Sequence, residues 1–547
     1  MRSRLPEKPR GIYELRATVQ ASEEPYELTY GLWQKDASGE SQLGENVTVV
    51  SAASTETESL KEMDVAKEVK EDAALFVKVT TNSSSPVAFV LHAEALTPLG
   101  RHRVLIGSII LIAVYVLLLL EVINRAVVAF IGAFLTLLLI TFTSHAPALA
   151  TVVGWMDSST LCLLFGMMIM VQMLSTTGMF EYLAVMMLTL TKGNVLHLNM
   201  ALCLLTTLCS AFLDNVTTML LIAPVTIELA GIMGISPIPL LLPEVIYSNI
   251  GGTATQIGDP PNIIIANMLS EHIGFIDFIK HTMPCALLCM AFVYPVVFFF
   301  YKDTLTKPRC RVDPTLKQKY PIKNKPLLLK CGTVLLFVIL LFFLQFLHGI
   351  DTAYIAIAGA FACLLLGTNE DLHTTFELLE WETLVFFAGL FIMIEGVSKL
   401  GVITAIGNGV AALIRKASPK YQSLLAHMLL LWVSGLVSSV LDNIAFIATM
   451  IPVTKILAND PTLHLDITTL AWAIAFGACY GGNGTLVGAG ANLVTAGIST
   501  TKGYPVTFGS FFKFGFSCMI ITLLVSTVYV WIRYVFHVCW TLTVVVC

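Results

Sequence analysis

The sequence predicts an all-α polytopic membrane protein of about eleven transmembrane helices in two inverted repeats with re-entrant hairpins, preceded by a small N-terminal β-rich luminal domain. Three observations carry that prediction. Of 547 residues, 56% are hydrophobic and 13% charged, with a mean hydropathy of +0.80, too apolar for a water-soluble globule. From residue 104 onward, apolar runs long enough to cross a bilayer recur, as at 104–123, 126–142, 282–301 and 327–347. Finally, a block near the middle returns near the C-terminus. Leu213-Asp214-Asn215 with Ala223-Pro224-Val225-Thr226 recurs 228 residues later as Leu441-Asp442-Asn443 with Ile451-Pro452-Val453-Thr454.

Residues 1–100 read differently from the rest. Runs at 13–21, 26–34, 74–81 and 87–95 are rich in β-branched and aromatic residues, and the turns between them carry Gly, Pro, Ser and Asn, which predicts a small sandwich or sheet. Asn46-Val47-Thr48 and Asn82-Ser83-Ser84 are glycosylation sequons and agree with a luminal placement. Met1-Arg2-Ser3-Arg4 is not followed by an apolar signal region, so that placement calls for an upstream segment.

The first repeat is expected over 101–301, a linker over 302–330, the second repeat over 331–540, and a tail of no evident role over 541–547. The linker carries nine Lys/Arg against Asp303 and Asp313, which assigns it to the cytosol by the positive-inside rule and makes a nucleic-acid role a poor reading. A luminal start and a cytosolic linker require an odd number of crossings between them. A second half of the same length then runs in the opposite sense and brings the two Leu-Asp-Asn blocks toward the midplane from opposite faces. The repeat extends further, since residues 155–178 echo 381–401. Short amphipathic pieces near 181–191 and 371–380 are expected to be interfacial helices.

Each Leu-Asp-Asn lies between two apolar arms, 195–212 and 219–232 in the first copy, 424–440 and 446–456 in the second. Arms of this size joined by polar residues suggest a re-entrant hairpin or a broken helix. Irregular backbone at membrane depth is tolerated where it is buried in protein or lines a wet cavity. There the open N–H groups of a half-helix attract anions, and Asn, Asp and carbonyl oxygens hold a hard cation. A glycine-rich partner follows each block. The candidate ion or substrate ligands are therefore Asp214, Asn215, Thr217 and Thr218 at the first tip, with Gly251, Gly252, Thr255, Gly258, Asp259 and Asn262 in its partner. In the second copy they are Asp442 and Asn443, with Gly481, Gly482, Asn483, Thr485 and Asn492.

The carboxylates sharpen this reading. An aspartate at the bilayer centre costs about 2.5–3.5 kcal/mol on insertion scales, so it is rarely there without a role, and a carboxylate out of water is suited to trading a proton for a metal ion. Asp214, Asn215 and Asp259 form a candidate sodium site. Asp259 is matched by Ala489 and Pro260-Pro261 by Gly490-Ala491, so the main cation site is expected in the first half. The plainer alternative is helix capping, for Asp259 before Pro260 and for the two tip aspartates. Glu121, Glu181, Glu244, Glu380 and Glu382 lie near predicted helix ends and read as interfacial, while Glu228 and Glu395 lie deeper and could line a path. Met167, Met168, Met170 and Met173 read as packing. The twelve cysteines contain no CxxC pair, which disfavours metal or disulfide roles.

The stretches LDNVTTMLLIAPVT, NIGGTATQIGDPPN, VSSVLDNIAFIATMIPVT and FGACYGGNGTLVGAGANLVTAGI, within about residues 101–540, resemble the ion transporter superfamily of sodium/dicarboxylate symporters, arsenite pumps and sodium/proton antiporters. Within it they are similar to the P-protein family of melanosomal transporters. The resemblance implies two inverted repeats divided into scaffold and transport parts, a homodimer and an elevator motion. In the symporters the hairpin tips read Ser-Asn-Thr; here the matching positions are Asp214-Asn215-Val216 and Asp442-Asn443-Ile444, and a Thr-Pro-Pro becomes Asp259-Pro260-Pro261. Added carboxylates would repel a dicarboxylate and favour cation/proton exchange, with sodium ion and proton as the coupling ions and no other cofactor. The implied biology is control of luminal pH, and so of melanin formation, in a melanosome or related organelle. An anion channel or anion transporter is the rival reading. An intramembrane aspartyl protease is a distant one, because its Gly-x-Gly-Asp is replaced by Gln256-Ile257-Gly258-Asp259, and HExxH is absent, so no catalytic residue is assigned.

Overall fold

The computed structural model describes residues 2–4, 12–19, 27–36, 39–50, 57–64, 74–81 and 89–96 as backbone, and from 98 onward all but 121, 144–145, 308–320, 368–371, 442 and 537–547. Asn82, Glu121, Asp442, the middle of the basic linker and the tail lie outside the described residues.

The N-terminal backbone forms strands β1 (Arg2–Arg4), β2 (Ile12–Val19), β3 (Glu27–Asp36), β4 (Gly39–Val50), β5 (Thr57–Asp64), β6 (Ala74–Thr81) and β7 (Phe89–Leu96). They pair antiparallel in two sheets, ordered β1-β6-β3-β4 and β5-β2-β7. Asn46 falls on edge strand β4, where the register against β3 shifts between Tyr30 and Leu32.

Beyond residue 102 the described elements are helical and come in matched pairs. The first series is α1 (Arg103–Leu120), α2 (Arg125–Thr143), α3 (Leu149–Gly154), α4 (Ser158–Ser175), α5 (Met179–Leu190), α6 (Val195–Phe212), α7 (Asn215–Ile232), α8 (Ile238–Thr253), α9 (Pro260–Met268) and α10 (Phe275–Leu305). The second begins with α11 (Lys325–Phe343), a short α12 (Gln345–His348), α13 (Thr352–Leu366) and α14 (Leu372–Glu377). It continues with α15 (Trp381–Lys399), α16 (Val402–Arg415), α17 (Pro419–Ser438), α18 (Asn443–Ala458), α19 (Ile467–Gly481), α20 (Gly490–Thr501) and α21 (Phe508–Val530). Skipping α12, the order and rough lengths repeat element by element. Among the described residues ten helices are long and apolar enough to cross a membrane, and shorter apolar helices such as α13, α18 and α19 fill the remaining repeat positions. The fold is an all-α polytopic membrane fold of two inverted repeats.

Local chemistry sets the helix starts. Asp157, Asn194, Asn324, Asp351 and Asp466 each accept a backbone N–H from the first turn of the helix that follows, at 2.9–3.1 Å. The arms differ from the sequence expectation at their polar ends. α7 starts at Asn215 rather than 219, because the capped polar residues 215–218 form its first turn. α17 starts at Pro419, a residue suited to the first helical turn.

By contacts the chain forms two compact units, one of Met1–Ile112, Ala133–Val153 and Glu395–Val402, the other of Ala113–Gly132, Gly154–Ile394 and Ile403–Cys547. Within the first, Gly107 lies against Leu400 and Val402, and Gly396 against Thr136 and Ile140. Within the second, the repeats exchange contacts symmetrically. Gly166 on α4 meets the backbone of Ala356 on α13, and Gly389 on α15 meets that of Ala129 and Phe130 on α2. Likewise α7 packs on α20, and α18 on α9.

The tightest approaches to backbone are intra-repeat. A Cβ at Gly251 would overlap the carbonyl of Thr207 on α6, and one at Gly481 the carbonyl of Gly435 on α17. Gly231, by contrast, has open space around it. We expect Gly251→Ala and Gly481→Ala each to destabilise the protein by about 1–3 kcal/mol or abolish its assembly, while Gly231→Ala stays near wild type. Melting in detergent checks this; equal melting of all three variants would refute the close approach.

Candidate functional site

Both glycine-rich motifs are breaks in a helix. α8 ends at Thr253 and α9 restarts at Pro260; α19 ends at Gly481 and α20 restarts at Gly490. Carbonyls freed by each break need donors, since there is no water in the hydrocarbon to supply them. Asn262 Nδ2 donates to Gly252 O at 3.0 Å and Thr255 O at 2.9 Å. Asn492 Nδ2 donates to Gly482 O and Thr485 O, both at 2.8 Å. The hydroxyls of Thr255 and Thr485 donate to Ala211 O and Ser439 O, tying each break to its own hairpin. Ser210 and Ser438 do the same to Ser248 O and Ala478 O, at 2.7 Å in both copies. Gly251, Gly252, Gly258, Gly481 and Gly482 are the close approaches these braces require, and the braces hold the tips in place rather than lining a space.

The hairpin tips carry the aspartates. Leu213 and Asp214 are extended between α6 and α7. Asp214 Oδ1 accepts the N–H groups of Val216 and Thr217 at 2.9 and 3.0 Å, and Oδ2 accepts the Thr217 hydroxyl. Capping is thus realised at Asp214, and Thr217 serves it. Thr218 is fully buried, with no hydrogen bond to its hydroxyl. Asp259 behaves otherwise. It occupies the position before α9, yet its side chain makes no cap bond. Ala489 holds the same backbone conformation before α20 (φ −149°, ψ 144°, against −146° and 132°), so the fold does not need a carboxyl there.

An asparagine chain joins the two copies. Asn215 Nδ2 donates to Asn249 Oδ1 at 3.1 Å, and Asn249 Nδ2 reaches Asn483 Oδ1 at 2.9 Å and Asn492 Oδ1 at 3.2 Å. Asn249 was not among the sequence candidates. Its match at an offset of 230 is Cys479, whose thiol donates to Asn262 Oδ1 at 3.3 Å. Extending the alignment of the repeats two residues before Gly251 would have exposed it.

Asp214, Asn215, Asp259 and Asn443 line a cavity of about 40 Å³, together with Arg125, Glu380, Thr383 and Gly490. The N-terminal ends of α7, α9, α18 and α20 converge on it. Glu380 is a correction, since it stands half-buried in this wall rather than interfacial. Its Oε2 accepts the Thr383 hydroxyl at 3.1 Å, and its Oε1 is buried with no hydrogen bond. Glu380 precedes the span that begins at Trp381; burial, and then the Asp214 carboxylate nearby, push its carboxyl above the ordinary carboxylate range. Arg125 pairs with the half-exposed Glu382 at 3.8 Å. Among the described residues no three His, Cys, Asp or Glu side chains converge as a metal cluster, so a cation here would depend on Asn, Thr and backbone oxygens as well.

The remaining acids sort by surroundings. Glu181 pairs with Lys323 at 3.7 Å, and Glu395 with Lys399 at 3.3 Å. Glu228, expected along a path, lines a separate cavity of about 700 Å³ with Glu181, Lys323 and Lys502. Glu244 is the second correction: it is fully buried in α8, not interfacial.

The family model described as a citrate transporter (CitMHS) matches residues 115–477. The human P protein is 35% identical over 537 residues, which cover 85% of this chain and 64% of that protein. The chain therefore spans less than two thirds of the length of the P proteins. A 46 kDa membrane protein of Mycobacterium leprae is 36% identical over 438 residues, 78% of this chain and 98% of its own. In fold the chain is similar to the Alcanivorax borkumensis YdaH transporter, with a TM-score of 0.52 at 14% identity over 76% of this chain and 99% of that one. On these matches the chain belongs to the CitMHS citrate-transporter family and is an integral membrane protein.

Proposed function

We propose that this protein is a secondary ion transporter of an acidic, melanosome-like organelle, where it sets luminal pH and thereby pigment formation by exchanging a cation, sodium first, for protons. The observation that carries this reading is the 40 Å³ cavity walled by Asp214, Asp259 and Glu380. Its volume suits an ion or a water, whose share of liquid is about 30 Å³, and falls far short of the roughly 300–1,000 Å³ of pockets for organic ligands. Three carboxylates oppose a tricarboxylate such as citrate and favour a cation or protons. Glu380, pushed up by burial and by Asp214, is suited to taking up a proton when the cation leaves. The organelle is inferred from the similarity to the P proteins. A homodimer, a luminal N-terminal domain and a cytosolic linker belong to the same reading.

One observation favours an anion instead. The N-termini of α7, α9, α18 and α20, the starts of α2 and α15, and the Arg125 guanidinium face the same cavity, and such ends attract negative charge. We read the carboxylates as the occupants of that positive field, which turns the site toward cations.

The test is flux in vesicles holding a pH dye, with sodium and chloride gradients imposed separately. We expect sodium-driven proton movement, lost in Asp214→Asn and Asp442→Asn. Asp259→Ala, the residue that the second repeat uses, should fold normally yet slow exchange by about tenfold or more, ~1.4 kcal/mol. Flux that follows chloride and survives all three changes would establish the anion pathway. Orientation has its own check: Asn46→Gln and Asn82→Gln should each remove one glycosidase-sensitive step on a gel, and a wild type without such steps would put the domain in the cytosol.

A further inference from the structure

Glu244 lies outside the tip cavity and has no part in the exchange described above. It is fully buried on α8, and its Oε1 accepts the Thr226 hydroxyl from α7 at 2.9 Å, while Oε2 is buried without a hydrogen-bond partner. Among the described residues no Lys, Arg or His pairs with it. The helices packed on α8 are α6, α7, α10, α19, α20 and α21, and of their titratable groups the Cys203 thiol of α6 is near enough to feel the Glu244 carboxyl. Of the acids on those helices, Glu228 sits two residues beyond Thr226 on α7 and lines the larger cavity, and Asp277 and Asp303 lie near the two ends of α10.

The second repeat provides an internal control. The position matching Glu244, at the offset of 230, is Ile474, equally buried. The position matching Thr226 is Thr454, whose hydroxyl turns back to Met450 O of its own helix at 2.8 Å. Cys203 is matched by Leu431, also buried. The same helix pairing is therefore built once with an apolar side chain and once with a carboxyl, so packing does not require the acid. An unpaired carboxylate in this setting is costly, and a neutral acid is far less so.

We propose that Glu244 is a second proton-binding site of the transporter, with the proton on Oε2 and the Thr226 hydroxyl on Oε1. This deepens the exchange reading and rests on it for the link to transport. The location supplies that link. α7 begins at the Asp214 cap, and Asn249, which joins the two repeats, lies five residues from Glu244, about 7.5 Å along α8. When the proton leaves, the carboxylate needs a second donor at Oε2. The α7–α8 contact must rearrange to supply one, and that moves the tip and Asn249 together.

The decisive measurement is the infrared difference spectrum of the purified protein between acidic and alkaline buffer, with proton flux measured in parallel. We expect a pH-dependent carboxylic-acid carbonyl band that is missing in Glu244→Gln. Proton flux should fall about tenfold or more while sodium still protects the variant against heat. Glu244→Ile, with the residue of the second repeat, should fold and give the same two losses, which guards against misfolding of the Gln variant. A difference spectrum identical in wild type and both variants overturns the proton site whatever the flux. A titrating Glu244 band in a protein whose protons follow no sodium gradient keeps the proton site and removes the exchange reading.

Discussion

An open backbone group in hydrocarbon costs about several kcal/mol, and this molecule is organised around closing such groups at two helix breaks. Each break is bridged by one asparagine, Asn262 or Asn492, which donates to two carbonyls across the gap. Each is also tied to its hairpin by a threonine hydroxyl and a serine hydroxyl. These bonds are short-range and duplicated, so the two tips are positioned by the same chemistry. Glycine follows from the same constraint. At Gly251 and Gly481 the neighbouring backbone stands where a side chain would begin. With the breaks satisfied from within the protein, irregular backbone can sit at membrane depth and surround a small polar cavity.

The duplication also separates what the fold needs from what it carries in addition. Ala489 takes up the backbone of Asp259, Ile474 fills the place of Glu244, and Cys479 makes the bond of Asn249 from the opposite side. In each case the second repeat builds the architecture without the charged or amide group. The added polarity of the first repeat is concentrated on α8 and α9. A symmetric carrier would present the same site from both sides. This one places its carboxylates unevenly along a nearly symmetric frame.

Electrostatics at the cavity is a balance of fixed dipoles and side-chain charges. The N-termini of α7, α9, α18 and α20 and the Arg125 guanidinium are positive, and they face the carboxyl groups of Asp214, Asp259 and Glu380. Asp214 already spends its oxygens on two N–H groups and the Thr217 hydroxyl. Glu380 keeps one oxygen, Oε1, without a hydrogen bond. Capping and ion binding are therefore not rivals at Asp214, because a cap placed at a helix break is also the wall of the space that the break creates.

Much of this was legible in the sequence, because it is written in local chemistry and in repetition. Hydropathy alone determines that the chain spans the membrane. The recurrence of Leu-Asp-Asn and of the glycine-rich segments determines that it does so twice in the same pattern, and four of the candidates, Asp214, Asn215, Asp259 and Asn443, do line one cavity. Tertiary structure decided the rest. Glu380 and Glu244 were expected near helix ends, yet one is a wall of the cavity and the other is enclosed between α7 and α8. Asn262 and Asn492, ligand candidates in the sequence, each bridge a helix break with the side-chain amide. Arg125 carried no local signal and Asn249 only its place two residues before Gly251, since their roles arise from helices that meet across the two repeats, hundreds of residues apart. Periodicity and motif report what one segment can do with its own neighbours; which side chains share a buried space depends on packing between distant segments, and only the folded chain sets that.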